Sequence, residues 1–457
     1  MSVSTAGRTA VAARPRASLA VAMLGFFVVA LDAQIVNVAL PGIRSDLGGG
    51  LSGLQWVVTG YTLMFSALQL FAGTFSDRVG ARRAYGLGMI VFVIASAACA
   101  LSPVLPALIG ARILQGIGAA MITPASLALI REAYHDAAAR GRAIVYWGLG
   151  GSVAAAAGPV LGGFLTQIDW RLIFFVNLPV GAAALSILSR VAPSPRRRAS
   201  FDWAGQISAV LGLAALTYGI IEGADVGYSN PAILLMFALG VVSVAAFIMT
   251  QAKGRDPMIP LDLFRSRAVS TALVIAVVTM GAFYGIVFVQ SLYFQQERGA
   301  SALETGLLFL PMTALVALLN PLVAWLMARY GHVAMIAGGQ LIMVIGLAGL
   351  CILPADAPVL LVAALMVPVG VGGSFTVPSI VAQVMDNVPT ERAGSASGVV
   401  NTARQVGGSL GVAIFGAVLA SGEFITGLRA SLGATAAVLI FLVVASLALQ
   451  RRRHATS

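Results

Sequence analysis

Apolar residues recur along this chain in runs of about twenty, separated by short links that are polar or carry Gly and Pro. A helix needs about 20 apolar residues to cross the hydrocarbon core of a bilayer. Fourteen runs qualify: roughly 18–40, 54–75, 84–102, 105–130, 143–165, 172–190, 204–221, 231–251, 268–292, 304–328, 333–353, 357–381, 398–420 and 430–449. The pattern predicts an all-α membrane protein with 14 transmembrane helices. Composition agrees. Of 457 residues, 59% are hydrophobic and 10% charged, where a soluble domain carries about 25% charged residues. Arg8, Arg14 and Arg16 precede the first run as in a signal peptide. That run continues for about 23 residues, long enough to span rather than be cleaved.

The net charge of +11 does not indicate a nucleic-acid partner, because it sits in clusters between the apolar runs. Numbering the links alternately from the N-terminal tail, twenty-three basic residues fall on the tail side, Arg404 counted among them. Four fall on the other side: Arg44, Arg171, Arg298 and Arg429. Such a bias places both termini in the cytoplasm. Arg112 is read as the one basic residue inside a span. Sixteen of the seventeen carboxylates lie at span ends or in links, and Asp32 alone is left deep in the membrane. Cys99 and Cys351 are each inside apolar runs and read as packing residues. The three histidines have no partner at metal-ligand spacing, so no metal and no cofactor is expected. Lys253 is the only lysine, an arginine bias that points to a GC-rich bacterial source.

The chain repeats itself. GIGAAMITP (Gly116 to Pro124) matches GVGGSFTVP (Gly370 to Pro378) at an offset of 254. Arg78 and Gly80 match Arg329 and Gly331 at 251, and Arg140 matches Arg392 at 252. The offsets pair spans 2, 4 and 5 with spans 10, 12 and 13. The predicted organisation is a basic tail (1–17), a six-helix half (18–190), a linker with two inserted helices (191–266), a second six-helix half (267–450) and a C-terminal tail (451–457). Two parallel repeats with a site between them at the midplane form a secondary-transporter plan. There is no Walker-type phosphate loop and no enzyme constellation. An ion gradient is the remaining energy source.

These residues resemble the major facilitator superfamily, in its 14-helix drug:proton antiporter branch. LDAQIVNVALP (Leu31 to Pro41) is similar to the branch's helix-1 signature, with Gln34 where threonine is usual. GTFSDRVGARR looks like the superfamily's loop 2–3 motif, through Gly73, Asp77, Arg78, Gly80, Arg82 and Arg83. RILQGIGAA looks like the helix-4 motif with its buried arginine. GLGGSVAAAAGPVLGG looks like the helix-5 antiporter motif that marks exporters, through Gly148, Gly151, Gly158, Pro159, Gly162 and Gly163. DWRLIFFVNLPVG (Asp169 to Gly181) resembles a stretch typical of the 14-helix branch.

An ionised aspartate in mid-span costs about 2.5–3.5 kcal/mol on insertion scales. That cost suits Asp32 to load and unload a proton as the cavity changes sides. The competing reading is a static hydrogen-bonded anchor between helices. By the resemblance, Arg112 assists proton transfer at Asp32, and the loop 2–3 motif latches the halves together. The helix-5 glycines would form a seam against the other half. The polar and aromatic residues expected to line the cavity are Gln34, Asn37, Trp56, Tyr61, Tyr146, Trp147, Phe283, Tyr284, Phe288, Gln290, Phe375 and Asn401. Asp32 lies about 200° from Gln34 around the helix, so helix 1 turns Gln34 and Asn37 to the substrate and Asp32 elsewhere. The expected protein is a proton-coupled efflux antiporter of a bacterial inner membrane. Its partners are protons, a small lipophilic or amphipathic compound such as an antibiotic, and the bilayer, and it functions as a monomer. A proton-coupled uptake symporter and a non-transporting membrane sensor are the alternatives.

Overall fold

The computed structural model describes residues 15–196, 200–254, 257–389, 392–420 and 422–454. The expectations placed on Arg8, Arg14, Arg197, Arg198, Arg255, Asp256 and Glu391 lie outside the described residues. Sixteen α-helices follow one another, with no strand among the described residues. They are α1 (Pro15–Ile35), α2 (Leu40–Leu47), α3 (Leu51–Val79), α4 (Ala81–Ala100), α5 (Leu105–Ala133), α6 (Ala137–Ile168), α7 (Leu172–Phe175) and α8 (Asn177–Leu188). The chain continues with α9 (Trp203–Val226), α10 (Pro231–Lys253), α11 (Arg267–Leu292), α12 (Ala302–Leu318), α13 (Asn320–Ile352), α14 (Val359–Met385), α15 (Ala393–Ala420) and α16 (Phe424–His454).

Twelve helices among the described residues are long and apolar enough to cross a membrane, and Leu172–Leu188 and Ala302–Leu318 are shorter apolar helices. Two boundaries differ from expectation. The first span runs on through a 3-10 turn at Val36–Ala39 into α2, because Pro41 has no N–H with which to continue the α-helical ladder. α12 and the first part of α13 follow each other across Leu319, just before Pro321, and the chain turns at Gly331 with φ 76°, so the expected spans 304–328 and 333–353 lie on either side of that turn. α16 runs on to His454, through a basic stretch of sequence that suits a helix C-terminus.

The helices form two bundles with the same internal pairings. In the first, α1 packs on α5, α6 and α8, and α5 on α3 and α4. In the second, α11 packs on α14, α15 and α16, and α14 on α12 and α13. The sequence repeat recurs as backbone contact. A Cβ at Gly116 would meet the Tyr61 carbonyl oxygen at 2.4 Å, and one at Gly370 would meet the Met312 carbonyl oxygen at 2.8 Å. Gly118 lies against the Gly88 carbonyl, and Gly372 against the Gly339 carbonyl. Each pair is the other shifted by the repeat. In a bilayer, helices associate largely through packing, so small residues at such crossings set the geometry.

The bundles meet along α6 with α12 and α3 with α15, and the α9–α10 hairpin rests on α3 and α15. At the end bearing few arginines, one continuous apolar cluster joins both bundles, from Leu31, Leu54 and Phe174 to Phe288, Phe309 and Phe415. At the arginine-rich end the clusters are separate. One belongs to the first bundle, around Tyr85, Phe92 and Leu129. The other belongs to the second, around Ala276, Ile336 and Ile380, with Leu70 of α3 as the first bundle's contribution. The bundles are thus sealed together at one end and packed separately at the other.

Candidate functional site

Asp32 and Arg112 form an ion pair whose side chains are both 0% exposed. α1 supplies the acid and α5 the base, and neighbouring helices complete the shell. Arg112 Nη1 donates to Asp32 Oδ2 and to Gln115 Oε1, the latter at 2.7 Å, and Nε donates to the Val57 carbonyl at 3.0 Å. The other aspartate oxygen, Oδ1, accepts from Gln115 Nε2 and from Asn177 Nδ2, each at 2.8 Å. Both amides also donate to Ser96 Oγ, which donates onward to the Phe174 carbonyl. The Tyr61 ring covers the guanidinium at 4.3 Å from its centroid.

Local sequence explains how these groups converge. Gln115 follows Arg112 by three residues and so shares its helix face. Asn177 opens α8 after an interruption at Val176, and Pro179 in the first turn of α8 suits a helix start. Two atoms stay unpartnered, Arg112 Nη2 and Asn177 Oδ1. The pair is dry and closely held, and it lies inside the first bundle. That agrees with the expected orientation of Asp32 away from Gln34. Ser96, Gln115 and Asn177 are site residues the sequence reasoning missed, although Gln115 and Asn177 stand within the motifs quoted above.

Helix 1 turns its other face to the second bundle. Because Pro41 has no N–H, the Asn37 carbonyl has no α-helical donor, and Ser291 Oγ of α11 donates to it at 2.6 Å. Gln295 donates to the next carbonyl, Val38, at 3.0 Å. On α3, Gln55 donates to the carbonyls of Val412 and Ala413 of α15. These bonds hold the sealed end.

The expected substrate contacts divide. Tyr61 is fully buried against Arg112 and donates to the Val29 carbonyl, so it belongs to the ion-pair shell rather than to a cavity wall. Asn37 turns its amide back to the carbonyls of Ala33 and Gln34. Trp56 donates to Glu222 Oε1 at 2.8 Å and lies beside Tyr218, facing the inserted hairpin. Trp147 stacks on Phe26 and donates to Ser126, and Phe288 is buried in the shared apolar cluster. Gln34 and Gln290 are buried with their Oε1 atoms unpartnered. Tyr146 is 53% exposed. Phe283 and Tyr284 meet edge to face, Phe375 is half-buried, and Asn401 Oδ1 accepts from Arg404 Nη1 at 3.2 Å.

Arg404 requires a correction. Read from sequence as a link arginine, it stands eleven residues inside α15, about 16 Å along the helix at 1.5 Å per residue. Arg112 is therefore not the only basic residue within a span.

The loop 2–3 motif sits at the arginine-rich end. Gly80 adopts φ 93°, with the Ser194 carbonyl 3.1 Å from where a Cβ would be. Arg82 binds the carbonyls of Leu188 and Ser189, and its N–H donates to Ser194 Oγ. Arg78 lies over the Phe201 ring. Arg83 is exposed, and a Cβ at Gly73 would meet open space. Asp77 is exposed, with no hydrogen-bond or ion-pair partner among the described residues. The loop thus grips the chain following α8 and leaves its acid free. Along α6, a Cβ at Gly151, Gly158 or Gly162 would collide with Phe26, Gln34 or Ile35 of α1. Gly163 faces the Ala302 carbonyl of α12, and the Pro159 carbonyl faces Gly306. Most of the motif therefore packs its own bundle, and only its last turns cross to the other. Gly148 borders open space.

The chain is 37% identical over 401 residues to "Multidrug resistance protein Stp" of Mycobacterium tuberculosis (strain CDC 1551 / Oshkosh), covering 87% of this chain and 74% of the relative. It is 36% identical over 414 residues to "Methylenomycin A resistance protein" of Bacillus subtilis (strain 168), covering 88% and 87%. Among solved structures, a mutant of the peptide transporter POT in complex with alafosfalin superposes with a TM-score of 0.73 at 14% identity, covering 98% of this chain and 96% of the other. Residues 22–412 match the pattern of one family. That match joins the repeated bundles and the buried ion pair to one conclusion: the chain belongs to the Major Facilitator Superfamily.

Proposed function

We propose that this protein is a proton-coupled secondary efflux transporter that exchanges protons for small amphipathic or lipophilic compounds. Relatives named for multidrug and methylenomycin A resistance support antibiotics as the substrate class. The observation that carries the reading is the buried Asp32–Arg112 pair. A proton added to Asp32 cancels the charge that Arg112 faces and leaves a guanidinium in a dry interior. Breaking such a pair costs about 3–5 kcal/mol, so protonation must be answered by movement of α1, α3, α5 and α8, the helices that build the shell. Rocking of the two six-helix halves, residues 18–190 and 267–450, is the movement the fold offers.

In this reading all fourteen apolar segments cross the inner membrane of a bacterium. The arginine-rich end and both termini are cytoplasmic, and the protein works as a monomer. The structure is then the inward-open state, closed at the periplasmic end by Asn37, Ser291, Gln55 and Gln295. Its free Asp77 belongs to a latch that engages when the cytoplasmic end closes, where it would favour a helix N-terminus. Of the α6 motif, Gly163 and Pro159 form the seam against α12 on which the halves move. The decisive experiment is substrate-induced proton release from the purified protein, screened over a panel of lipophilic compounds. Release by the wild type and none by Asp32→Asn supports the exchange. Equal release by both refutes it.

A further inference from the structure

The membrane interior holds a second guanidinium that the proton mechanism does not use. Arg404 is half-buried in α15, and among the described residues it has no carboxylate partner. Among the described residues its one hydrogen bond goes to Asn401 Oδ1, and its Nε is buried and unpartnered. It stands about 16 Å along α15 from the helix start, beyond the reach of an arginine side chain to that end. A cation so placed is expensive without an anion or a polar cavity to answer it.

Its direction follows from the contacts of α15. Gly407 and Gly411 press on Val277 and Gly281 of α11, while Gly398 and Gly416 press on Leu70 and Gln55 of α3. Asn401, Arg404 and Gly408, spaced three and four apart, lie on the face between these two contacts. That face looks into the gap between the bundles, on the open side of the Gln55 seal. Tyr284 of α11 packs its ring on Gly408 one turn away. The repeat supplies no counterpart: 252 residues earlier stands Ser152.

We infer that Arg404, with Asn401 and Tyr284, anchors an anionic group of the transported molecule, a carboxylate above all. A guanidinium presents a planar fork of donors that a carboxylate matches, and Nε, the open arm of that fork, has no protein acceptor. The inference rests on the transport reading and narrows its substrate class to amphipathic anions.

The test is calorimetric binding of 1-pyrenebutyrate, its uncharged methyl ester and tetraphenylphosphonium to the purified full-length protein. The wild type is expected to bind the anion at least tenfold more tightly than the ester. Arg404→Gln should abolish that preference without weakening ester binding or lowering the melting temperature. Arg404→Lys keeps the charge and loses the fork, and should weaken anion binding three- to tenfold. If Arg404→Gln does not fold, Arg404→Lys and Asn401→Ala decide the matter. Failure of the wild type to favour the anion, or a preference unaltered in these variants, overturns the inference. Proton release on the same samples separates the two proposals. An Arg404-dependent preference without Asp32-dependent release keeps the anchor and removes the exchange. Asp32-dependent release driven only by the ester or the cation keeps the exchange and removes the anchor.

Discussion

The two halves share a backbone plan and differ at their centres. In the first, Ser96, Arg112 and Gln115 gather around Asp32. Their repeat positions in the second, at offsets of 251 and 254, are Leu347, Met366 and Val369, all fully buried in the shared apolar cluster. The glycine crossings that hold the helices are kept in both halves, Gly116 on Tyr61 and Gly370 on Met312. Helix packing therefore does not require the polar centre, since the second bundle is built without one. The first half retains a charged pair that contributes little net stability when replaced by well-packed apolar groups, a pattern expected of a working site. The second half places its charge elsewhere, at Arg404 on the wall of the gap.

The largest expected effect comes from copying the second half's centre into the first. Arg112→Met leaves Asp32 buried and unpaired. It should destabilise the protein by about 3–5 kcal/mol and abolish transport, measured by thermal melting in detergent and by flux into vesicles. The double variant Asp32→Leu/Arg112→Met should recover most of that stability and none of the transport. A double variant that still moves protons would end the comparison. Next is Gly116→Ala, which drives a methyl into a backbone carbonyl and should cost about 1–3 kcal/mol. Gly370→Ala meets its carbonyl, that of Met312, at 2.8 Å instead of 2.4 Å and should cost somewhat less. Equal melting temperatures for the two would show that the halves do not differ in this way. Asn177→Ala removes one donor to Asp32 and one to Ser96. It should cost about 1–3 kcal/mol and slow proton release rather than stop it, as stopped-flow measurement with a pH dye would show. The smallest effect is expected at Asp77→Asn: turnover falls a few-fold with substrate affinity unchanged, and unaltered turnover removes the latch.

Much of the fold was legible because lipid imposes simple rules on sequence. Backbone groups in hydrocarbon must bond within a helix, so runs of about twenty apolar residues declare the helices. The placement of arginines declares a preferred orientation. Even the turning of Asp32 away from Gln34 followed from helical geometry. The errors came where a local rule has two outcomes. Pro41 interrupts one helix and starts the next, so the end of the first span moved. Arg404 stands near a link in sequence and reads as part of it. It already falls inside the run 398–420, and the helix's early start at Ala393 sets it further from the end. Residue type alone puts Tyr61 on a cavity wall, yet its ring covers Arg112.

The sequence by itself determined the helical class, the repeat and the identity of the buried acid, because each depends on short-range periodicity or on the cost of one charge in lipid. Tertiary structure alone decided which groups answer that charge. Ser96, Gln115 and Asn177 come from three helices and meet only after packing, and a hydrogen bond between helices leaves no periodic trace in the chain. It also decided which end of the molecule is sealed, since that rests on how two bundles lean against each other. Either lean is compatible with the same helices.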